Sequence, residues 1–264
     1  MPSIIFPLEI EETIINLLAE DDDIGHSALK TCSLVCRAFL PICRKHIFES
    51  IAIDDGVEVS SATTHAFARL LRETPEIAGY IRKLEYYYHD GIADLPTSPS
   101  IQESLKRISR LEFLTVWQRN GRSHPSLKWS NFPIRPALLH LLHLPTLTHF
   151  RVICIKKFVL SDLIPCVNLK YLDMGHLTTV ADENTFPATF PEHSIQLNEF
   201  LAQTATPTAI MKLCAAQRPD GQPIIDFGSL SKITVSFKTC SEGEASQALF
   251  RRCHVLTNVI VSCK

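Results

Sequence analysis

Leu111-Glu112-Phe113-Leu114-Thr115-Val116 carries apolar side chains at its first, fourth and sixth positions. The last two are two residues apart, the period of an extended strand that buries one face. The same spacing begins again at Ile81 (with Leu84 and Tyr86), Leu147 (Phe150, Val152), Leu169 (Leu172, Met174), Leu230 (Ile233, Val235) and Leu256 (Val259, Val261). A weaker copy begins at Leu197, with Phe200 and Ala202. Successive starts lie 22 to 36 residues apart. The pattern predicts a series of short strands, each returned to the next by a connecting segment.

These intervals are irregular but centre near the roughly 20–29 residues of a leucine-rich repeat. The region resembles a degenerate version of that repeat, because the asparagine or cysteine ladder of the standard form is missing. Ala137–Leu144 and Thr208–Ala216 have helical patterns, as connectors on the convex side of such a repeat should. On spacing alone, a mixed α/β domain whose strands share it is the alternative. Either fold displays its strands on one surface. Two residues separate the end of the last copy from Lys264, with no capping element after it, which leads to the expectation of a shortened chain or a partner at that end.

With 264 residues, 45% of them apolar and 20% charged, the sequence is globular in type. Its 26 Lys and Arg against 28 Asp and Glu give a formal charge of −2, and no basic stripe is dense enough to neutralise several phosphates. Nucleic acid is therefore not an expected partner. The opening has no basic region, Glu9, Glu11 and Glu12 follow at once, and no apolar run approaches about 18 residues. No secretory signal or membrane partner is expected. Nine scattered cysteines, an odd number, read as free thiols in a reducing compartment, and an intracellular location, cytoplasmic or nuclear, is expected.

Ahead of the repeats, Leu8, Ile10, Ile14, Ile15, Leu17 and Leu18 recur at helical spacing, with Pro7 in the first turn and the glutamates near the positive end of the helix dipole. Asp21, Asp22, Asp23 and Gly25 then read as a solvated turn, lacking the alternating spacing of a calcium loop. A second helical run starts near Ser27 and passes through Leu29, Cys32, Leu34, Val35 and Cys36. A third passes through Phe39, Leu40, Ile42, Cys43, Ile47 and Phe48. Three such short helices are marginal alone and call for a partner. Cys32, Cys36, Cys43 and His46 have spacings that could align metal ligands, and the same spacings describe a buried stripe in which Cys acts as a small hydrophobe. The stripe is the preferred reading, and neither a metal nor a cofactor is expected.

Phe6-Pro7-Leu8-Glu9-Ile10, then Ile14, Leu17 and Leu29, then Cys32-Ser33-Leu34-Val35-Cys36-Arg37, Phe39 and Phe48 resemble, in order and spacing, the F-box motif over roughly residues 5–51. Phe6 stands where the family usually has Leu. Pro75-Glu76-Ile77-Ala78 with the strand-like Tyr80–Tyr86, and Arg218-Pro219-Asp220-Gly221 through Asp226-Phe227, are similar to fungal members of that family. The resemblance implies docking on a Skp-type adaptor, and through it on cullin and RING subunits, by Phe6, Pro7, Leu8, Glu9, Ile10, Ile14, Leu17, Leu29, Leu34, Val35, Arg37 and Phe39. The expected fold class is α/β (α+β). A three-helix F-box (residues 1–53) and a helical linker (54–79), which includes a helix over Ser61–Leu71, lead into an irregular leucine-rich-repeat-like solenoid of short parallel strands and helices (80–264).

The implied role is that of a non-catalytic substrate-recognition subunit of a ubiquitin ligase, with an unidentified client on the repeat region. The alternative is an interaction scaffold with a vestigial F-box. No catalytic residue is expected, since no nucleophile elbow, phosphate loop or dinucleotide fingerprint is present. Asp226-Phe227-Gly228 matches a kinase triplet without the rest of that signature and reads as a turn before the strand at Leu230. His140, His143 and His149 have no acidic sequence neighbour and read as surface or core-edge residues.

Overall fold

The structure, a computed structural model, describes residues 7–21, 25–55, 60–89, 99–119, 128–175, 178–182, 186, 191–202, 207–237 and 240–263. Its elements in chain order are α1 (Leu8–Ala19), α2 (Gly25–Val35), α3 (Phe39–Ile47), β1 (Ser50–Asp55), α4 (Ser60–Glu73), β2 (Lys83–His89), α5 (Pro99–Leu105), β3 (Phe113–Arg119), α6 (Arg135–Leu142), β4 (His149–Ile153), β5 (Tyr171–Met174), β6 (Ile195–Gln196), β7 (Glu199–Ala202), α7 (Pro207–Ala215), β8 (Ile225–Asp226), β9 (Lys232–Phe237), α8 (Cys240–Phe250) and β10 (Asn258–Cys263). Eight strands form one sheet in the order β1-β2-β3-β4-β5-β7-β9-β10, and every pairing in it is parallel. The molecule is mixed α/β, and strand order follows chain order. Among the described residues no helix is long and apolar enough to cross a membrane.

All seven copies of the sequence pattern fall on strands of this sheet. The fourth-position residues Leu84, Leu114, Phe150, Leu172, Phe200, Ile233 and Val259 lie in one register row, extended at the other edge by Ile51. Their first-position partners Ile81, Leu111, Leu147, Leu169, Leu197 and Leu230 sit just ahead of the strands and are buried. These rows share one core with Phe67 and Leu71 of α4, Ile101 and Leu105 of α5, Leu138 and Leu141 of α6, Ile210 and Leu213 of α7, and Leu249 of α8. The helices thus cover the sheet face to which alternate strand residues point. At β10 that cover gives out, and Val259, Ile260 and Val261 are each close to half exposed.

Strand β1 follows the same spacing in Phe48, Ile51 and Ile53, but Phe48 also completes the apolar run of α3, and the helical reading of that run hides the strand. The strand expected over Tyr80–Tyr86 begins at Lys83, because Pro75–Gly79 forms a 3-10 turn that Tyr80 closes. The helices expected at Ser61, Ala137 and Thr208 are present with ends shifted by one or two residues.

The connector between β4 and β5 is held by one acidic residue. Asp162, in the 3-10 turn Leu160–Leu163, accepts the indole N–H of the fully buried Trp129 at 2.6 Å. Arg135 Nη2 donates to both of its carboxylate oxygens, at 3.0 and 2.8 Å. With 11% of the Asp162 side chain and 26% of the Arg135 side chain exposed, the pair is largely withdrawn from water. Replacing Asp162 by Ala leaves both donors unpaired. Since Arg135 keeps some solvent, the expected loss is about 2–4 kcal/mol, below the ~3–5 kcal/mol of a fully buried pair. Urea unfolding of Asp162→Ala measures it, and a change under ~1 kcal/mol would contradict this role.

Candidate functional site

Helices α1, α2 and α3 enclose a small core of their own made of Ile15, Leu29 and Cys43, with Leu18, Cys32, Phe39 and Ile42 packed against it. A Cβ on Gly25 would collide with the Leu18 carbonyl oxygen, so α2 can approach α1 this closely only with glycine at its start. The other side of α1 is apolar too. Ile10, Ile14 and Leu17, spaced to form one stripe, are 45%, 50% and 62% exposed, and at the end of α2 Leu34 and Val35 are 87% and 73% exposed. Of the sequence-expected adaptor contacts, these five and the exposed Pro7, Glu9 and Arg37 are accessible. Leu29 is buried in the small core and Phe39 half-buried against it. Phe6 lies outside the described residues, as do Asp22, Asp23 and the side chain of Leu8.

The second surface is the sheet face away from the helices. In-register pairing lines up Lys83, Phe113, His149, Tyr171, Glu199 and Lys232 as one row, and Glu85, Thr115, Arg151, Asp173, Leu201 and Thr234 as the next. Phe113 and His149 stack with centroids 4.1 Å apart, and His149 stacks on Tyr171 at 5.3 Å. Further along the strands Tyr87 and Trp117 pack at 5.7 Å, and the Arg119 guanidinium lies 4.2 Å from the Tyr87 ring centre. The row of rings lines, with Lys83, Glu85 and Arg151, an open surface cavity of about 240 Å³. The strand alternation was readable in the sequence. These groupings were not, because each joins residues from different repeats.

Charged groups on this face are paired across it. Lys83 Nζ lies 3.1 Å from Glu85, Arg151 Nε 2.7 Å from Asp173, Lys232 Nζ 3.0 Å from Glu199 and Arg119 3.2 Å from Asp54. The Tyr87 hydroxyl donates to Glu85 at 2.6 Å and, with help from Lys83, holds that carboxyl below its usual range. Burial pushes the Asp173 carboxyl up against the pull of Arg151, and burial likewise pushes the His149 imidazole down.

Cys43 is buried and its thiol is raised by that burial and by neighbouring Cys32, while His46 shares a 2.7 Å hydrogen bond with Asn16. Among the described residues no group of three or more His, Cys, Asp or Glu is placed to hold a metal ion. His140 and His143 are exposed, His143 sharing a hydrogen bond with the Asp162 carbonyl. Asp226 and Gly228 form a turn in which the Gly228 N–H donates to the Asp226 carboxylate at 2.8 Å, while Phe227 is buried. No protein-family model matches the chain, and no curated protein is significantly similar to it.

Because the Glu85 carboxyl is depressed by Tyr87 and Lys83, which the β2 strand geometry of the folded chain holds against it, its contribution to stability is complete above the unfolded glutamate pKa of about 4.3. It is lost as pH falls through the lower folded value. Glu85→Gln is therefore expected to narrow its stability deficit relative to wild type as urea unfolding is moved from neutral pH to acid. A deficit that stays constant would show that Tyr87 and Lys83 exert no such hold.

Proposed function

We propose that the chain is a substrate-recognition adaptor of a Skp–cullin–F-box type ubiquitin ligase. In this reading α1–α3 are an F-box, the parallel strands are a degenerate leucine-rich-repeat-like solenoid, and the site of action is intracellular. The supporting observation is the set of five aliphatic side chains, Ile10, Ile14, Leu17, Leu34 and Val35, left open to solvent at the positions where the F-box resemblance puts adaptor contacts. Burying each fully would contribute about 1.5–3 kcal/mol, much of it offset by the cost of association. The client would lie on the open sheet face. Ubiquitin transfer would then follow from proximity, the protein holding a client lysine near the charged conjugating enzyme with no bond chemistry of its own.

A pull-down of the purified full chain with a Skp-type adaptor tests this. Stoichiometric retention is expected, and Ile10→Asp combined with Leu34→Asp should weaken it by about a hundredfold or more, as for loss of two interface anchors. Both side chains are already exposed, so circular dichroism should be unchanged. Failure of the intact chain to bind, or binding indifferent to the double substitution, sinks the proposal. Binding with a client whose abundance ignores proteasome inhibition would favour the scaffold role.

A further inference from the structure

The cavity on the open sheet face has a size, a lining and a charge balance that together select an occupant. At about 240 Å³ it falls below the ~300–1,000 Å³ typical of cofactor and small-molecule sites, and it suits a single large side chain. Its apolar lining is the stacked series Phe113, His149 and Tyr171, in which Phe113 is still 37% exposed. An added ring can extend such a stack in offset or edge-on geometry.

The rim carries charge, and its opposite signs are set against one another, although Arg151 and Lys83 stay about half exposed. Lys83 is engaged by Glu85 and Arg151 by Asp173, and the adjoining Glu199 by Lys232. Glu85 is doubly held, since the Tyr87 hydroxyl occupies its second oxygen. An acidic or phosphorylated segment needs unpaired Arg or Lys, and a basic segment needs unpaired carboxylates. Either would have to share charges that already neutralise one another, and would gain less from each than from an unpaired one.

We propose that this cavity is the anchor pocket of the client surface and takes one aromatic side chain from a peptide segment without net charge. The inference rests on the client-receptor reading above and narrows it to a chemistry. Shape and ring stacking select the client, and electrostatic attraction contributes little.

A phage-displayed random dodecapeptide library, panned on the purified full chain, tests it. The enriched peptides should share one aromatic residue in an uncharged surrounding. The best of them, synthesised with a fluorophore, should lose at least tenfold in affinity against Tyr171→Ala and against Phe113→Ala, as for removal of an interface anchor. Its affinity should change little with added salt. Thermal unfolding confirms that each variant is folded, and Phe113→Ala, at a more exposed site, serves if Tyr171→Ala is not. Enrichment of acidic, basic or purely aliphatic peptides overturns the proposal. So does the absence of any peptide sensitive to the two pocket substitutions, or self-association of the chain through the pocket in sedimentation. The Ile10→Asp, Leu34→Asp variant should bind the peptide as wild type does, so failure of adaptor docking and failure of the pocket are read separately.

Discussion

One backbone contact, repeated at every step, sets the register on which both surfaces depend. The carbonyl just before each strand accepts the N–H groups of two successive residues leading into the next strand. Glu49 receives Arg82 and Lys83, Arg82 receives Glu112 and Phe113, Glu112 receives Thr148 and His149, and the series continues through Thr148, Lys170, Asn198 and Ser231 at 2.8–3.0 Å. Each step starts the new strand level with the old one. Leu84, Leu114, Phe150, Leu172, Phe200 and Ile233 consequently meet in a single buried row, and one residue away the outward side chains meet in a row of their own. The connectors absorb the variation in repeat length, since loop-closure entropy grows only slowly with length.

The same logic explains why the N-terminal helices behave differently from the rest. Among the described residues, Ile15, Leu29 and Cys43 are the fully buried members of their private core, little for a unit of this size. They gain support from the sheet, because Phe48 and Ile51 pack against the main core and Arg44 lies 3.7 Å from Glu76. Among the described residues, the outer side of α1 and the end of α2 stay between 45% and 87% exposed at Ile10, Ile14, Leu17, Leu34 and Val35. An exposed apolar stripe of this kind is what the adaptor docking proposed above would use.

How much of this was legible in the sequence follows from the range over which each signal acts. The strands at Leu84, Leu114 and Phe150 announced themselves through a spacing confined to six residues, and the helices of α1 and α3 through apolar residues within three turns. Strand β1 escaped, since Phe48, which opens the same spacing with Ile51 and Ile53, also ends the apolar run of α3 and reads with the helix. Leu29 and Leu34 look equivalent as apolar residues of one helix, yet three-dimensional packing sends Leu29 to the core and leaves Leu34 in solvent. The stack of Phe113, His149 and Tyr171 joins residues 36 and 22 positions apart, a grouping that only the register creates.

That register also governs the electrostatics of the open face. Arg151 opposite Asp173 and Glu199 opposite Lys232 are direct cross-strand partners, while Lys83 and Glu85 neighbour one another on the same side of one strand. The opposing signs cancel over distances comparable to a strand spacing, shorter than the ~8 Å screening length at physiological salt. Such a face projects little field into solvent. It neither steers a charged partner toward itself nor repels one at long range, and discrimination falls to contacts made after encounter. If this face receives the client proposed above, affinity differences between clients would reside in dissociation rates set by how well a side chain fills the ring-lined cavity.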